Sequence, residues 1–182
     1  MEWLTDVGLG LDYDALRLDR TSQAWIDAGT RLRDDVAGRL AGSVIGVEQI
    51  GSSSVLTLLA KPIVDIAIGL GDEHEFSAVR DRLEATGWTY RGDAGASGGH
   101  VFVLETKISH RVAHAHVVDY DGEQWRNYLR LRDLLRRSST ALARYEAVKQ
   151  QLVGEVGDDR MAYTDGKSKI VHMLLDDAAR AT

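Results

Sequence analysis

Three short stretches carry residues whose types and spacing could do chemistry. The first is Glu48-Gln49-Ile50-Gly51-Ser52-Ser53-Ser54. An apolar, strand-like run leads into Gly51, which lets the backbone come close to a ligand. The N–H groups and hydroxyls of Ser52 and Ser53 then supply donors for a phosphate, above all where a helix begins. The second is Lys61-Pro62-Ile63-Val64-Asp65-Ile66. Asp65 sits mid-strand between apolar neighbours, where an unpaired charge is costly to bury, so it needs a metal, a cation or several donors. Lys61 could neutralise it or reach a phosphate. The third holds His114 and His116. Residues i and i+2 share a strand face, about 7 Å apart, so both imidazoles could approach Asp65 if the two strands are neighbours. Imidazole can act as a general base, donate to phosphate, or ligate manganese or zinc better than magnesium. Taken alone, Gly51-Ser52 also describes an ordinary turn and the histidines a polar sheet face; Asp65 shifts the balance towards a site.

A helical pattern over residues 123–137 adds a second source of charge. At about 100° per residue, Trp125, Tyr128, Leu129, Leu131 and Leu135 form a broad apolar arc. Arg132 and Arg136 fall inside that arc, whereas Arg126, Arg130 and Arg137 fall on the polar side. An inward guanidinium needs a carboxylate or phosphate partner, and its planar fork suits bidentate phosphate binding. Arg132 and Arg136 therefore stand as candidate anion ligands, with a structural ion pair as the competing reading.

The elements that must position these groups follow from periodicity and punctuation. Residues 13–40 carry apolar positions at helical spacing and read as an opening amphipathic helix, stopped at Gly42. Residues 44–50 and 62–70 read as strands, with a helical turn over 54–59 between them, and Pro62 suits a first strand position. A helix over 73–85 ends at Gly87, and the glycine-rich segment 92–99 reads as a mobile loop. Residues 101–104 and 112–118 read as strands; helices follow over 123–137, 140–153 and 164–179. Strands in the middle and helices at both ends predict an α+β domain, one unit over 1–182, with helices packed on one side of a mixed central sheet.

Composition narrows the function classes. The chain has 182 residues, the size of one domain with a sizeable core. Its 22 Lys plus Arg against 28 Asp plus Glu argue against a broad nucleic-acid footprint, which needs clustered positive charge. With no cysteine there is no disulfide, thiolate catalysis or Cys-based zinc site. No run approaches the roughly 20 apolar residues of a membrane span and no signal-peptide pattern opens the chain, so no membrane partner and a cytoplasmic location are expected.

The stretch from Glu48 to Leu70 resembles the signature of the GrpB family, a branch of the DNA polymerase beta-type nucleotidyltransferase superfamily. The likeness continues through Arg111, His114-Ala115-His116, Leu131-Arg132-Asp133, Leu135-Arg136, Tyr145, Lys149, Asp159-Arg160, Tyr163-Thr164 and Lys167. It departs at Val55-Leu56-Thr57-Leu58, where relatives usually carry Val-Pro-Gly-Leu, at Gln49 where His is common, and at Leu131 where Phe is common. The resemblance implies a nucleotidyltransferase fold and divalent-metal-dependent transfer of a nucleoside monophosphate from a nucleoside triphosphate to a small-molecule hydroxyl or amine, with Mg2+ or Mn2+ as cofactor. It implies Asp65, His114 and His116 as catalytic residues, Asp65 and His116 as metal ligands, and Lys149, Tyr163 and Lys167 as further nucleotide contacts beside Gly51, Ser52, Ser53 and Lys61. The superfamily's metal pair sits on carboxylates two residues apart on one strand, and here the second position is Ala67. A non-catalytic nucleotide- or metabolite-binding module is the alternative. Such domains also occur fused to dephospho-coenzyme A kinase, which implies a link to coenzyme A metabolism, although no Gly-x-x-x-x-Gly-Lys-Ser/Thr loop is present here.

Overall fold

The computed structural model describes residues 1–94, 99–156 and 159–180. After a short helix α1 (Glu2–Asp6) come two brief strands, β1 (Leu11–Asp12) and β2 (Asp19–Arg20), and helix α2 (Gln23–Arg39). Strand β3 (Gly46–Ile50), a 3-10 turn (Ser52–Ser54), β4 (Leu59–Ala60) and β5 (Val64–Leu70) follow. A 3-10 turn (Glu73–Glu75) leads into α3 (Phe76–Ala85), then β6 (Trp88–Asp93), β7 (His100–Lys107) and β8 (His110–Asp119). Helices α4 (Glu123–Arg137), α5 (Ser139–Val156) and α6 (Arg160–Arg180) end the chain.

The main sheet runs β3-β5-β8-β7-β6, with β1 added against the start of β8. The β5–β8 pair is parallel and the others are antiparallel, so the sheet is mixed as expected. Its two faces differ. Val64, Ile66, Ile68 and Leu70 point into the main core with residues of α2 and α3, such as Leu32, Val36, Val79 and Leu83. On the other face Ile50, Ala67 and Val118 pack under Trp125 of α4. A third cluster, including Val55, Leu58, Leu135, Tyr145, Ile170 and Leu174, joins α4, α5 and α6 to the segment after the Ser52–Ser54 turn. Helices therefore cover both faces, not one. The apolar arc on α4 needs a sheet face of its own, because α2 and α3 already fill the other.

Other boundaries differ for local reasons. The opening helix starts only at Gln23, where Ser22 accepts from the Trp25 N–H at 3.3 Å as N-cap. The residues before it pair as strands, β1 with β8 and β2 with β4. The helical turn predicted over 54–59 is instead the 3-10 turn at Ser52–Ser54. Pro62 lies two residues before β5, and its carbonyl accepts from Gly10 N–H at 2.6 Å. Strand β6 was not expected. Its alternation of buried Trp88 and half-buried Tyr90 and Gly92 with exposed neighbours is a period-two signal, interrupted by a bulge between Tyr90 and Gly92. The loop expected over 92–99 lies partly outside the described residues.

Candidate functional site

The site is built where β5 leaves the Gly51 turn behind. Gly51 has φ 73°, a left-handed conformation, and a Cβ placed on it would stand 2.5 Å from Asp65 Oδ2. Only glycine allows both the turn and the close approach of that carboxylate. The turn is tightened by Ser54, whose hydroxyl donates to the Gly51 carbonyl at 2.7 Å. Ser52 faces outward to the site, whereas Ser53 is buried and its Oγ has no hydrogen-bond partner among the described residues.

Parallel pairing sets Asp65 opposite His114 and Ala67 opposite His116. His114 Nδ1 and Asp65 Oδ1 are 3.2 Å apart, and both side chains are half-buried. Burial pushes the Asp65 pKa up, but the hydrogen bond with His114 and the charges of His114, His116 and Lys167 outweigh it and hold the carboxyl below its ordinary value. His116 packs its ring 5.4 Å from that of Tyr128, whose phenol is pushed up to about 12, chiefly by burial.

A cleft of about 530 Å³ opens over this face. Its floor is Ile50, Gly51, Ser52, Asp65 and His116; one wall is α4 through Gln124, Asn127, Tyr128 and Leu131. The other wall is α6, through a stripe at i, i+3, i+4, i+7, i+8 and i+11: Thr164, Lys167, Ser168, Val171, His172 and Leu175. Tyr145 of α5 closes the end beside Ser52. Tyr145 first, and then Asp65, hold the Lys167 pKa above its ordinary value against the opposing effect of burial.

Of the residues singled out from the sequence, Gly51, Ser52, Asp65, His116 and Lys167 line the cleft, and His114 stands behind Asp65 in contact with it. Ser53, Lys61, Lys149, Tyr163, Arg132 and Arg136 do not line it. Lys61 holds its ammonium 4.2 Å from the ring centre of buried Tyr163. Lys149 is buried and donates to the Leu59 carbonyl; burial first, then Lys167, drives its pKa well down. Glu146 of the same helix accepts from the Leu59 N–H at 3.3 Å and from Arg20 at 2.9 Å, so α5 satisfies both backbone groups of this residue of β4. Arg132 turns inward and is half-buried, whereas Arg136, expected on the same inner arc, is exposed and only its guanidinium reaches back to the turn. Arg132 donates to Glu48 Oε2 at 2.8 Å, the Gln49 carbonyl at 3.0 Å and Asp133 at 2.8 Å. Arg136 grips the Ser54 carbonyl through two nitrogens, at 3.2 and 2.9 Å. Arg126, Arg130 and Arg137 are exposed.

Tyr128, Asn127, Tyr145 and the α6 stripe apart from Lys167 are site residues that the sequence reading misses. The stripe was legible as a helical period; Tyr145 was quoted only within the family pattern. Among the described residues no group of three or more His, Asp or Glu could hold a metal ion. Nor is any described helix long and apolar enough to cross a membrane.

Comparison with known proteins places this geometry. The family model described as GrpB protein matches residues 15–177. The glutamate-rich protein GrpB of Alkalihalophilus pseudofirmus is 27% identical over 177 residues, 93% of this chain and 99% of that one. A crystal structure of the conserved protein GrpB from Enterococcus faecalis aligns with a TM-score of 0.74 at 25% identity, covering 88% of this chain and 98% of that one. In fold alone the chain also matches the Cid1 poly(U) polymerase with Mg 3'-dATP bound, with a TM-score of 0.51 at 12% identity over 84% of this chain and 48% of the polymerase.

Proposed function

The chain belongs to the GrpB family, on a nucleotidyltransferase fold, and from that premise we propose that it moves a nucleoside monophosphate from a nucleoside triphosphate to a hydroxyl or amine of a small molecule. The observation that carries this reading is Asp65, a carboxylate set against the Gly51–Ser52 turn on the floor of a nucleotide-sized cleft and braced by His114. Ser52, the backbone of the turn and Lys167 take phosphate oxygens. Lys61, Arg132 and Arg136 supply a positive field behind the turn, and Ser53, Lys149 and Tyr163 pack beneath it. His116 takes the acceptor's proton as the acceptor oxygen or nitrogen bonds to the α-phosphorus; the bond from that phosphorus to the bridging oxygen breaks, and pyrophosphate leaves.

The residues fit a divalent cation that arrives with the nucleotide, not a resident one. Asp65 offers one carboxylate with His116 on the same face, and the next site along the strand is Ala67, fully buried under Trp125. Mg2+ is commonly held by one or two carboxylates plus substrate phosphates and water, and such an ion, or Mn2+, neutralises phosphate charge during transfer. The net charge of −6 favours a small acceptor over a nucleic acid, although the fold's matches include RNA uridylyl transferases.

The test is pyrophosphate release from each Mg–nucleoside triphosphate in the presence of a library of alcohols and amines, with Asp65→Asn alongside. Turnover by the parent and none by the variant supports transfer. Tight nucleotide binding without turnover in any combination would instead favour a non-catalytic nucleotide- or metabolite-binding module, linked to coenzyme A metabolism. The buried Ala67 is the observation on that side.

A further inference from the structure

Two hydroxyls meet at the end of the cleft without bonding well. Tyr145 is buried at 1% exposure, its ring packed with Val55, Leu58 and Leu135, and its hydroxyl lies 3.4 Å from Ser52 Oγ. Hydroxyl pairs bond best near 2.7–2.8 Å, so at this spacing neither proton is well used, and a buried hydroxyl wants a full partner. Lys167 lines the same cleft, and no carboxylate within 4 Å pairs with its ammonium among the described residues. Two donors and a cation thus line one cleft, where a tetrahedral anion seated beside the hydroxyl pair would give each a partner. Asp65 repels anions from the other side, which confines that place to the Tyr145 end.

We propose that Tyr145 Oη, Ser52 Oγ and Lys167 Nζ form a seat for one phosphoryl group, with Tyr145 as a direct phosphate ligand and the terminal phosphoryl of a triphosphate as its occupant. This assignment rests on the nucleotide reading of the cleft. The three groups come from the Ser52–Ser54 turn, α5 and α6, so an occupied seat ties the last two helices to the sheet. A purely structural tyrosine would do no such thing.

The experiment is calorimetric titration of the full chain with Mg–tripolyphosphate, Mg–nucleoside triphosphates and nucleoside monophosphates, for the parent, Tyr145→Phe and Ser52→Ala. Phenylalanine keeps the ring in its cluster, so the unliganded melting temperature should not move. Affinity for tripolyphosphate and triphosphates should fall about tenfold in each variant, the worth of one hydrogen bond to a charged group, with monophosphate affinity changed less than about twofold. Hydrogen exchange in α5 and α6 should slow when the parent binds tripolyphosphate, and slow less in Tyr145→Phe at equal ligand. Should Tyr145→Phe fail to fold, the Ser52→Ala titration and the parent's exchange decide. Unchanged tripolyphosphate affinity in the variants overturns the seat while leaving the nucleotide reading intact, as does an equal loss for mono- and triphosphates. A parent that binds neither nucleotides nor tripolyphosphate overturns both.

Discussion

The two faces of strand β5 are made by alternate residues of one heptapeptide, yet they solve opposite problems. Val64, Ile66, Ile68 and Leu70 are large and aliphatic, and they bury a continuous surface against α2 and α3. Asp65, Ala67 and Gly69 shrink stepwise along the strand on the other face. Gly69 is small because Tyr120 and Trp125 press on it: an added Cβ would stand 2.8 Å from the Tyr120 ring. Ala67 is small because Ile50, Val118 and Trp125 close over it. Only at Asp65 does the face open into the cleft. The position where relatives of the fold carry a second carboxylate is therefore roofed by apolar side chains, so the difference between the faces is size and cover as much as polarity.

The strongest way to break this comparison is Ala67→Asp. If the roof is closed, the new carboxylate is buried without a partner, and the variant should lose about 3–5 kcal/mol in chemical denaturation, or not fold. A stable Ala67→Asp protein with stronger divalent-metal binding would show that the face is open there after all.

Next comes a paired substitution on neighbouring residues. Ile66→Ala should cost about 2–5 kcal/mol of stability and leave nucleotide affinity untouched, because it empties core volume on the closed face. Asp65→Asn should weaken Mg–nucleotide binding more than it harms stability, losing at neutral pH only what the ionised carboxylate contributes to folding. The pH dependence sharpens this. Since the folded carboxyl titrates below its ordinary value, its ionised form contributes stability above about pH 4, and that contribution is lost as pH falls through the folded pKa. The acid limb of the parent's stability curve should accordingly be steeper than that of Asp65→Asn; identical limbs would mean that the His114 contact contributes nothing.

A smaller effect separates the half-buried Arg132 from the exposed Arg126. Arg132→Lys gives up part of a half-buried bridge between Glu48, Gln49 and Asp133 and should cost about 1 kcal/mol in thermal or urea unfolding. Arg126→Lys, which touches only an exposed pair with Asp121, should stay within about 0.5 kcal/mol of the parent. Nucleotide affinity measured alongside tells whether Arg132 braces β3 or also feels the ligand.

The smallest expected change is a gain. Thr57 has φ 66°, a conformation that is costly for a β-branched residue, and it stands where relatives usually place glycine. It is held there because its N–H donates to the Thr21 carbonyl at 2.9 Å and its carbonyl accepts from Arg20 at 2.8 Å. Thr57→Gly should raise stability by about 0.5–1 kcal/mol, the relieved strain less the added freedom of the unfolded chain. Loss of stability would mean that the threonine side chain makes contacts worth more than its backbone strain.

How far the sequence could be read depended on whether a feature was local. The Gly51 turn, Asp65 and the two histidines were legible because strand alternation places i and i+2 on one face. The arc of α4 was legible because one helical period sorts Arg132 from Arg126. What Arg132 meets was not, since Glu48 lies 84 residues away and no local pattern joins them. Tyr145 stayed hidden for a related reason: on its helix it reads as one more apolar position, and only its meeting with Ser52, 93 residues distant, gives its hydroxyl a site. Strands β1 and β2 are two residues each, too short for any period to register.

The parallel pairing of β5 with β8 also bears on time. Asp65 and His114 stand 49 residues apart in the chain, and parallel neighbours need a long crossover, here supplied by α3, β6 and β7. Loop-closure entropy must be met before such a contact returns anything, so pairings of this kind form late in folding. During synthesis the Gly51 turn and the carboxylate leave the ribosome well before either imidazole, and α6, the far wall of the cleft, follows later still. A growing chain thus carries a bare carboxylate with no brace and no wall, and any reactivity of the site should switch on in a single late step. Pulse-labelled translation intermediates ending before α6 should therefore retain no bound nucleotide, even where the sheet has already formed.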